Sequence, residues 1–395
     1  MTSAELAAGN CQASVQRTGP DSWLVNCRNA ALDAELQNAR CTRFPARHHG
    51  FFSKRRDPVL WQDVRRVITK ASRAARIRLP ARNLYEGIAK RFDAGTREQP
   101  QDLTYFVMST LANATLPMII DDEASIAGLS LDQNDKITKQ INFHHLRHGF
   151  WQRALSMMVE YRAGRAVRKA VAHRIERGDT DKADFLHTLL ELEDVIGLRG
   201  ISYLIVTLSS AVSTAPGAIA SCMLYKLLLD EERFERVHEE LADWDVASIA
   251  QIDHGQFKYC QRFIKEALRL WSFPLRARRL VHTDMWIDGE LICKGDVYDL
   301  SFEHFHRDSA VWDDAASFHE ERWLSPSEAQ MKSYFPFGFS KRSCLGASIG
   351  LDQLLIFLRL ATVDFQFLLA DDAKPKLSSE ILHVPSDFVG TFRRK

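Results

Sequence analysis

The stretch Phe337-Gly338-Phe339-Ser340-Lys341-Arg342-Ser343-Cys344-Leu345-Gly346 places one cysteine in a short basic loop directly before a long apolar helix pattern. A thiol ionises more readily beside cationic side chains and at a helix N-terminus. Lys341, Arg342 and the following helix supply both conditions for Cys344, and Phe337 could shield the sulfur from water. The loop therefore predicts a thiolate, the form of cysteine that binds metal.

A buried structural cysteine after a basic turn is the alternative, since cysteine is among the most buried residue types. The flanking pattern favours the thiolate. The odd total of seven cysteines argues for reduced thiols in a reducing compartment. The other six cysteines lack paired metal-ligand spacing: Cys11, Cys27, Cys41, Cys222, Cys260 and Cys293.

The decapeptide resembles the haem-binding loop of the cytochrome P450 family. The family pattern is Phe, two residues, Gly, one residue, Arg or His, one residue, Cys, one residue, Gly. Ser340 stands where the family has its first glycine, so the turn must form without the conformational freedom of glycine. The resemblance implies haem b with the Cys344 thiolate as axial ligand, and it gives Phe337, Arg342 and Gly346 places in the cofactor-binding loop.

Composition predicts one large globular domain over residues 1–395, with residues 1–20 poorly ordered. Of the residues, 46% are hydrophobic and 26% are charged, and no linker or repeat divides the chain. Lys and Arg total 52 against 51 Asp and Glu, which gives no reason to expect nucleic acid as a partner. The start Met1-Thr2-Ser3-Ala4-Glu5-Leu6 lacks a basic segment followed by an apolar run, so we expect a cytoplasmic protein without a membrane anchor.

Apolar residues at helical spacing dominate from Val59 onward, whereas 278–300 has the short apolar runs and Asp-Gly and Lys-Gly turns of a small sheet. A strand near Trp23 and a helix over 30–40 precede them. The apolar helix over 197–229 could span a membrane, but its serines, threonines and Pro216 favour a buried central helix. The predicted fold is mainly α with a small β region, and its order resembles the cytochrome P450 fold, a single large domain around a buried haem. The other predicted helices are 59–72, 84–92, 102–111, 150–177, one opening at Asp184, 257–271 and 346–362.

Glu266 and Arg269 lie three residues apart on one predicted helix face, where a carboxylate and a guanidinium can pair. A surface pair at this spacing is common and by itself says little. The resemblance gives it a role, because family members join a Glu-x-x-Arg pair to an arginine of a Glu-Arg-Phe-like segment beneath the haem. Arg322 occupies that third place, so the three residues are implied to fix the scaffold rather than to react.

Arginines are the usual partners of the two haem propionates, because the planar guanidinium binds carboxylates bidentately. Three arginines stand at positions that the family resemblance implies for this role. Arg65 follows Trp61 in a Trp-or-His, three residues, Arg pattern, Arg279 precedes Asp284 by five residues, and Arg342 lies two residues before the cysteine. Each could also be a solvated surface residue. Together, in the expected order, they favour propionate binding, with Trp61 as a further donor.

The helix over 197–229 resembles the oxygen-binding helix of the family. The usual Ala-Gly-x-Asp/Glu-Thr corresponds to 210–214, which makes Thr214 the family alcohol, puts Ser213 in place of the acid, and puts Ala211 where a glycine makes room for oxygen. An alignment shifted by one residue would instead put Ala215 at the threonine position. We prefer the first alignment because of the small Ala211.

Serine cannot supply a proton as a carboxylic acid does, although it can hold a water. Proton delivery would then run through ordered water or a polar group of the substrate, or the reaction would not be a plain hydroxylation. Alternatively, Ser213 and Thr214 bond back to carbonyls of the preceding turn, and Pro216 kinks the helix nearby. The sequence leaves these possibilities open.

The resemblance places substrate contacts in the loop before Asp57, in 142–151, in 204–213 and in 272–275. The segment 142–151 is rich in aromatic residues and histidines and could close over a pocket. A metal site there is the less favoured interpretation, because no carboxylate stands at diagnostic spacing.

The sequence therefore predicts a haem-thiolate monooxygenase that oxidises a small, largely apolar molecule, with specialised metabolism as the expected setting. No Gly-x-Gly-x-x-Gly follows a strand, so electrons are expected from a separate ferredoxin or flavodoxin and its reductase. One alternative keeps the haem but performs oxidative coupling, cyclisation, desaturation, nitrogen chemistry or peroxide-driven oxidation, since Ser213 replaces the acid. A second is a non-catalytic haem- or ligand-binding protein, and the least favoured is a helical protein without haem.

Overall fold

The structure is a computed structural model that describes residues 15–26, 28–39, 61–78, 81–121, 150–178, 184–272, 274–339, 342–378 and 382–395. In chain order its helices are α1 Arg28–Ala39, α2 Trp61–Arg78, α3 Ala81–Gly95, α4 Leu103–Ile119, α5 Phe150–Arg177, α6 Phe185–Leu189, α7 Glu193–Leu228, α8 Glu231–Ala242, α9 Lys258–Trp271, α10 Phe302–Arg307, α11 Glu328–Ser333 and α12 Ala347–Arg359. Its strands are β1 Val15–Gly19, β2 Ser22–Val25, β3 Gln101–Asp102, β4 Arg276–Leu280, β5 Met285–Ile287, β6 Glu290–Ile292, β7 Val297–Ser301, β8 Phe365–Leu369, β9 Lys376–Ser378, β10 Val384–Ser386 and β11 Val389–Arg394.

Contacts within the chain form two compact units. Unit 1 comprises Met1–Thr42 and Gln261–Cys344, and unit 2 comprises Arg43–Cys260 and Leu345–Lys395. The mainly α fold with a small β region is confirmed, since helices dominate the described residues of unit 2 and the larger sheet belongs to unit 1. One domain over the whole chain stays a prediction.

Unit 1 is built on a four-stranded sheet in the order β1-β2-β7-β4. Strand β2 pairs parallel with β7, whereas β1 with β2 and β4 with β7 are antiparallel. Val15–Gly19 forms β1, although these residues belong to the segment 1–20 that was predicted to be poorly ordered; residues 1–14 lie outside the described residues. Val15 pairs with Val25 and is 5% exposed, so burial of its apolar side chain stabilises the strand. The sheet shares one buried cluster with α1 and α10.

The predicted hairpin between β5 and β6 is confirmed. Asp288 and Gly289 connect the strands and have φ of 54° and 85°. Positive φ at both central residues is characteristic of the type I′ turn, for which Asp-Gly is a preferred sequence. The local residues therefore determine this part of unit 1.

Unit 2 has its core between α4 and α7, with α2, α5 and α12 contributing apolar side chains. Gly217 of α7 lies so close to α4 that a Cβ atom there would be 2.6 Å from the Met108 Cα. A side chain larger than hydrogen would separate the two helices. A three-stranded sheet in the order β3-β11-β8 and the pair β9-β10 complete the unit.

Helix α7 has a kink at Gly197, the residue at which the predicted helix begins, and no such break at Pro216. Gly197 has φ of 66°, outside the helical region, whereas Pro216 lies inside the continuous helix. By length and composition, 185–228 is the one stretch of the described residues that could cross a membrane, and 35% of its apolar window is buried. Such a stretch is weak support for a membrane span, because the core helix of a soluble protein has the same length and composition.

Candidate functional site

The cysteine loop, Phe335–Cys344, begins with a tight turn in unit 1. The amide of Gly338 donates to the carbonyl of Phe335 at 3.0 Å, and Gly338 has a φ of 68°. This left-handed conformation carries a steric cost for residues with a Cβ atom. Ser340 and Lys341 lie outside the described residues. In the described part of the loop, it is Gly338 that uses the conformational freedom of glycine.

The loop folds back on itself before Cys344. The Cys344 amide donates to the carbonyl of the half-buried Phe337 at 2.7 Å, and the Arg342 amide donates to the carbonyl of Phe339 at 3.3 Å. The Phe339 ring is buried 4.8 Å from the Phe335 ring, measured between centroids. The Cys344 side chain is exposed. Backbone hydrogen bonds and a buried aromatic pair thus fix the loop while the sulfur remains accessible.

Cys344 differs from the other cysteines that the structure describes. Cys222 and Cys260 are buried, and burial raises the pKa of both thiols, with the Glu240 carboxylate raising that of Cys260 further. Cys293 is also exposed, but it lies just beyond the end of β6, where its backbone amide donates to the Asp296 carboxylate, and so it is not part of the cysteine loop. Protonated buried thiols are poor ligands. Among the described cysteines, Cys344 alone combines exposure with a place in the cysteine loop.

Helix α12 begins at Ala347, three residues after Cys344 in the sequence, with Gly346 as its N-cap. The Gly346 carbonyl accepts from the Gly350 amide at 2.8 Å, which closes the first turn. The Ser72 hydroxyl donates to the Leu345 carbonyl at 3.1 Å. Helix α2 is therefore bonded to the start of α12, a contact that no local sequence pattern indicates.

The structure brings Glu266, Arg269 and Arg322 together in unit 1. Arg269 donates to both oxygens of Glu266, through Nη2 at 2.7 Å and Nε at 3.0 Å. Arg322 Nε donates to Glu266 Oε1 at 3.1 Å. The side chains of Glu266 and Arg269 are 0% exposed and that of Arg322 is 8% exposed. Such a pair is tolerated in the interior only when every charge is compensated.

Two further donors to Glu266 were missed by sequence reasoning. The His319 amide donates to Oε1 at 3.0 Å, and the Trp323 indole N–H donates to Oε2 at 2.9 Å. The resemblance placed a phenylalanine-like residue at position 323. A phenylalanine side chain has no hydrogen-bond donor, whereas a buried tryptophan usually has a partner for its indole N–H. The tryptophan at position 323 was therefore the sequence signal for a polar partner nearby. The carboxylate thus accepts from four residues.

Arg269 also anchors three chain segments. Its Nη1 donates to the carbonyls of His306 and Ala315, both at 2.7 Å, and its Nη2 donates to the Ser317 carbonyl at 3.0 Å. A guanidinium has five N–H donors, and those of Arg269 are directed at acceptors in α9, α10 and the segment after α10. The ion network therefore fixes the scaffold of unit 1.

Arg279 has a carboxylate partner within the chain. Its Nε donates to Glu35 Oε1 of α1 at 3.0 Å, and the Tyr298 hydroxyl donates to the same oxygen at 2.8 Å. Burial and the neighbouring Glu35 raise the pKa of Tyr298. Glu35 therefore already compensates the charge of Arg279, and its role toward a propionate stays a prediction.

Arg65 is half-buried on α2, two turns before Ser72. Trp61 is the first residue of this helix, and its side chain lies outside the described part of the structure. Arg342, in the cysteine loop of unit 1, is half-buried. The propionate roles of these residues also stay predictions.

One side of α7 is partly exposed. Thr207 and Ala211 are exposed, although Leu204 and Ile205 just before them are buried. Spacings of four and three residues put Thr207, Ala211 and Thr214 on one side of the helix. Thr214 is 9% exposed. Ala211, the predicted small residue, is therefore exposed, whereas Thr214 on the same side of the helix is buried.

Several predicted positions lie outside the description. The Ser213 side chain, residue 273, the loop before Asp57 and 142–149 are among them. Ser272 is described, and its hydroxyl lies 3.3 Å from Nδ1 of His306. Among the described residues, no group of three His, Cys, Asp or Glu side chains could hold a metal ion.

The family model described as Cytochrome P450 matches residues 33–388 of this chain. The chain therefore belongs to the cytochrome P450 family. Family members carry haem b with a cysteine thiolate as axial ligand. The described loop fits this group, since it offers an accessible cysteine on a backbone held by its own hydrogen bonds.

Curated relatives support the same family over part of their length. The chain is 28% identical over 237 residues to the bifunctional cytochrome P450/NADPH–P450 reductase 2 of Bacillus subtilis (strain 168), a match that covers 56% of this chain and 22% of that protein. It is 29% identical to cytochrome P450 2U1 of Bos taurus, over 43% of this chain and 32% of the relative. It is 26% identical to the cholesterol 16,22-dihydroxylase CYP90G4 of Paris polyphylla, over 53% of this chain and 46% of the relative. The chain thus spans less than half the length of these relatives.

Proposed function

We propose that this protein is a haem-thiolate monooxygenase in which Cys344 is the axial ligand. The observation that carries the proposal is the cysteine loop, where the amide of Cys344 donates to Phe337 at 2.7 Å while the side chain remains exposed. When bound, thiolate-ligated haem supplies the activation of oxygen. The ion network around Glu266 holds the surrounding scaffold of unit 1.

The chain's own residues would have distinct tasks. Phe337 would shield the thiolate from water, and Arg342, Arg65 and Arg279 would neutralise the propionates. Thr214 would offer a hydroxyl donor about one helical turn from Ala211 on the same side of α7. Ser213 can hold a water but cannot act as a carboxylic acid, so oxidative coupling, cyclisation or desaturation is the second candidate reaction.

The substrate we propose is a small, largely apolar molecule of specialised metabolism. Ala211 is exposed next to the half-buried Val212 and Leu208, which pack against the apolar core of unit 2, and this apolar setting favours contact with an apolar molecule. One relative is named a cholesterol dihydroxylase, and cholesterol is itself apolar. We further propose a cytoplasmic protein that receives electrons from a separate ferredoxin or flavodoxin with its reductase.

The absorption spectrum of the reduced protein with carbon monoxide tests the ligand. We expect a Soret band shifted far to the red in the parent protein and lost in Cys344→Ser. Cys293→Ser is the matched control, because Cys293 is also exposed but belongs to the β5–β6 hairpin region, and it should keep the parent band. A band typical of histidine-ligated haem in the parent, or an unchanged band in Cys344→Ser, would overturn the proposal.

Turnover with labelled oxygen separates the candidate reactions. Incorporation of one labelled atom into the product supports hydroxylation. Turnover that requires oxygen but gives unlabelled product supports coupling, cyclisation or desaturation. A substrate-induced spectral change without consumption of reductant with any partner would indicate a non-catalytic haem protein.

A further inference from the structure

His306 is a fully buried histidine that connects α10 with the beginning of the cysteine loop. It lies in the last turn of α10 and is 0% exposed. Its Nε2 accepts from the backbone amide of Phe335 at 2.9 Å. Its Nδ1 lies 3.3 Å from the hydroxyl of Ser272, the residue after α9.

The hydrogen bonds determine the tautomer. A backbone amide can only donate, so Nε2 of His306 must be unprotonated and Nδ1 must carry the hydrogen, which points to Ser272. Burial, with the nearby charges of Arg269 and Arg307, lowers the pKa of His306 to about 3. The ring is therefore neutral near pH 7 and available as an acceptor for Phe335.

The backbone of the same residue belongs to the ion network. The His306 carbonyl accepts from Arg269 Nη1 at 2.7 Å. His306 is thus bonded through its carbonyl to the scaffold and through its ring to the loop. Tyr334, the residue before Phe335, is held independently, since its hydroxyl donates to the Lys265 carbonyl of α9 at 3.1 Å.

We propose that His306 is a positioning residue for Cys344, acting through its hydrogen bond to the Phe335 amide. The inference rests on the proposed function, in which Cys344 binds the haem. His306 contacts neither the cysteine nor any reacting group. It fixes the peptide from which the loop starts.

The hydrogen bonds of the loop explain how one acceptor affects the sulfur. The carbonyl of Phe335 accepts a hydrogen bond from the Gly338 amide. Phe337 lies between these two residues in the sequence, and its carbonyl accepts a hydrogen bond from the Cys344 amide. The Phe335 amide and carbonyl flank the same Cα atom, so a change in the backbone angles of Phe335 that turns the amide toward another acceptor would also move the carbonyl and break the first turn. It would then move the Phe337 carbonyl that holds the Cys344 amide.

Three substitutions of His306 separate the effect of losing the hydrogen-bond acceptor from the effect of changing the volume of the side chain. His306→Gln can place an amide oxygen near the position of Nε2 and keep the acceptor for Phe335. His306→Asn reaches only the position of Nδ1, and His306→Phe keeps a ring without any acceptor. Ser272→Ala is the matched control, because it removes the other partner of the ring and leaves the Phe335 bond intact.

The first readout does not depend on haem. Hydrogen–deuterium exchange of the peptide over 335–339 should be about ten-fold faster in His306→Asn and His306→Phe, since loss of one hydrogen bond of about 1.4 kcal/mol corresponds to that factor. It should stay within about two-fold of the parent in His306→Gln and Ser272→Ala. The second readout is the fraction of protein with the red-shifted carbon monoxide band, which should fall in the same two variants and be restored by Gln.

The inference would be overturned if all four variants had the same exchange rate over 335–339 and the same carbon monoxide spectrum. It would also be overturned if His306→Gln gave the exchange rate and spectrum of His306→Phe. If His306→Phe does not fold, the comparison of Asn with Gln decides, because both carry a similar amide. Failure of the proposed function would be visible separately. In that case the parent itself would lack the red-shifted band, while the exchange of 335–339 would still depend on His306.

Discussion

The indole nitrogen of Trp323 lies 2.9 Å from Oε2 of Glu266, so a neutral donor completes a buried ion network. Arg269 donates to each of the two carboxylate oxygens, and Trp323 adds a further bond to Oε2. Hydrogen bonds to a charged acceptor are stronger than those between neutral groups. The tryptophan therefore stabilises the charge that holds both arginines.

We predict that Trp323→Phe lowers the free energy of unfolding by about 1.5–3 kcal/mol, the usual cost of losing a hydrogen bond to a buried charged group. Denaturant unfolding measures this change. Trp286→Phe is the control, because the Trp286 side chain is 61% exposed. It should change stability by less than about 0.5 kcal/mol. Equal effects of the two substitutions would show that the indole bond contributes nothing.

The sequence predicts those parts of the fold and site that depend on neighbouring residues. Helix α5 has the predicted bounds Phe150–Arg177, because apolar spacing along one helix is a local property. The turn at Asp288 and Gly289 is equally local. The pairing of Glu266 with Arg269 follows from their separation of three residues.

Contacts between distant segments could not be predicted from local sequence patterns, and the predicted contact of Arg322 with Glu266 came from the family resemblance. Arg279 and its partner Glu35 are 244 residues apart, and nothing near either residue indicates the other. The bond of His306 to a backbone amide left no signal in sequence, since any residue at position 335 except proline would supply the amide. Such contacts depend on the topology of the sheet and helices.

We predict that His306 makes the folded protein less stable as the pH is lowered. Its pKa is about 3 in the folded protein, against 6.5 for an unperturbed histidine side chain. Below pH 6.5 the unfolded chain binds a proton that the folded protein excludes, so folding becomes less favourable as pH falls toward 3. The contribution is about 1.4 kcal/mol per pH unit in this range, and it is absent above about pH 7.

Unfolding free energies at about pH 7 and about pH 5 of the parent and of His306→Gln measure this contribution. Gln does not titrate, so the variant should lose about 2 kcal/mol less than the parent between these values. Parallel pH profiles would mean that another group causes any loss of stability in acid.

We predict that Gly338→Ala lowers stability by about 1–2 kcal/mol, because an L-residue is strained at a φ of 68°. It should also reduce the fraction of protein with the red-shifted carbon monoxide band, since the turn of the cysteine loop is distorted. Gly289→Ala is the matched control, with a φ of 85° in the β5–β6 hairpin. It should cost similar stability without changing the spectrum. If both variants keep the parent spectrum, the turn does not position Cys344.

The alignment of α7 makes a prediction about Thr214. Thr214→Val keeps the shape of the side chain and removes the hydroxyl, and we expect product formed per electron consumed to fall at least about ten-fold, in line with the loss of a positioned proton donor. Ser209→Ala is the control, because the Ser209 hydroxyl donates to the Ile205 carbonyl of the preceding turn at 2.8 Å and so is engaged within the helix. It should leave the coupling unchanged. An unchanged ratio in Thr214→Val, together with a loss in Ala215→Leu, would instead support the alignment shifted by one residue. The two outcomes differ because the residues are about 100° apart around the helix axis, so only one of them can occupy the family's threonine position beside Ala211.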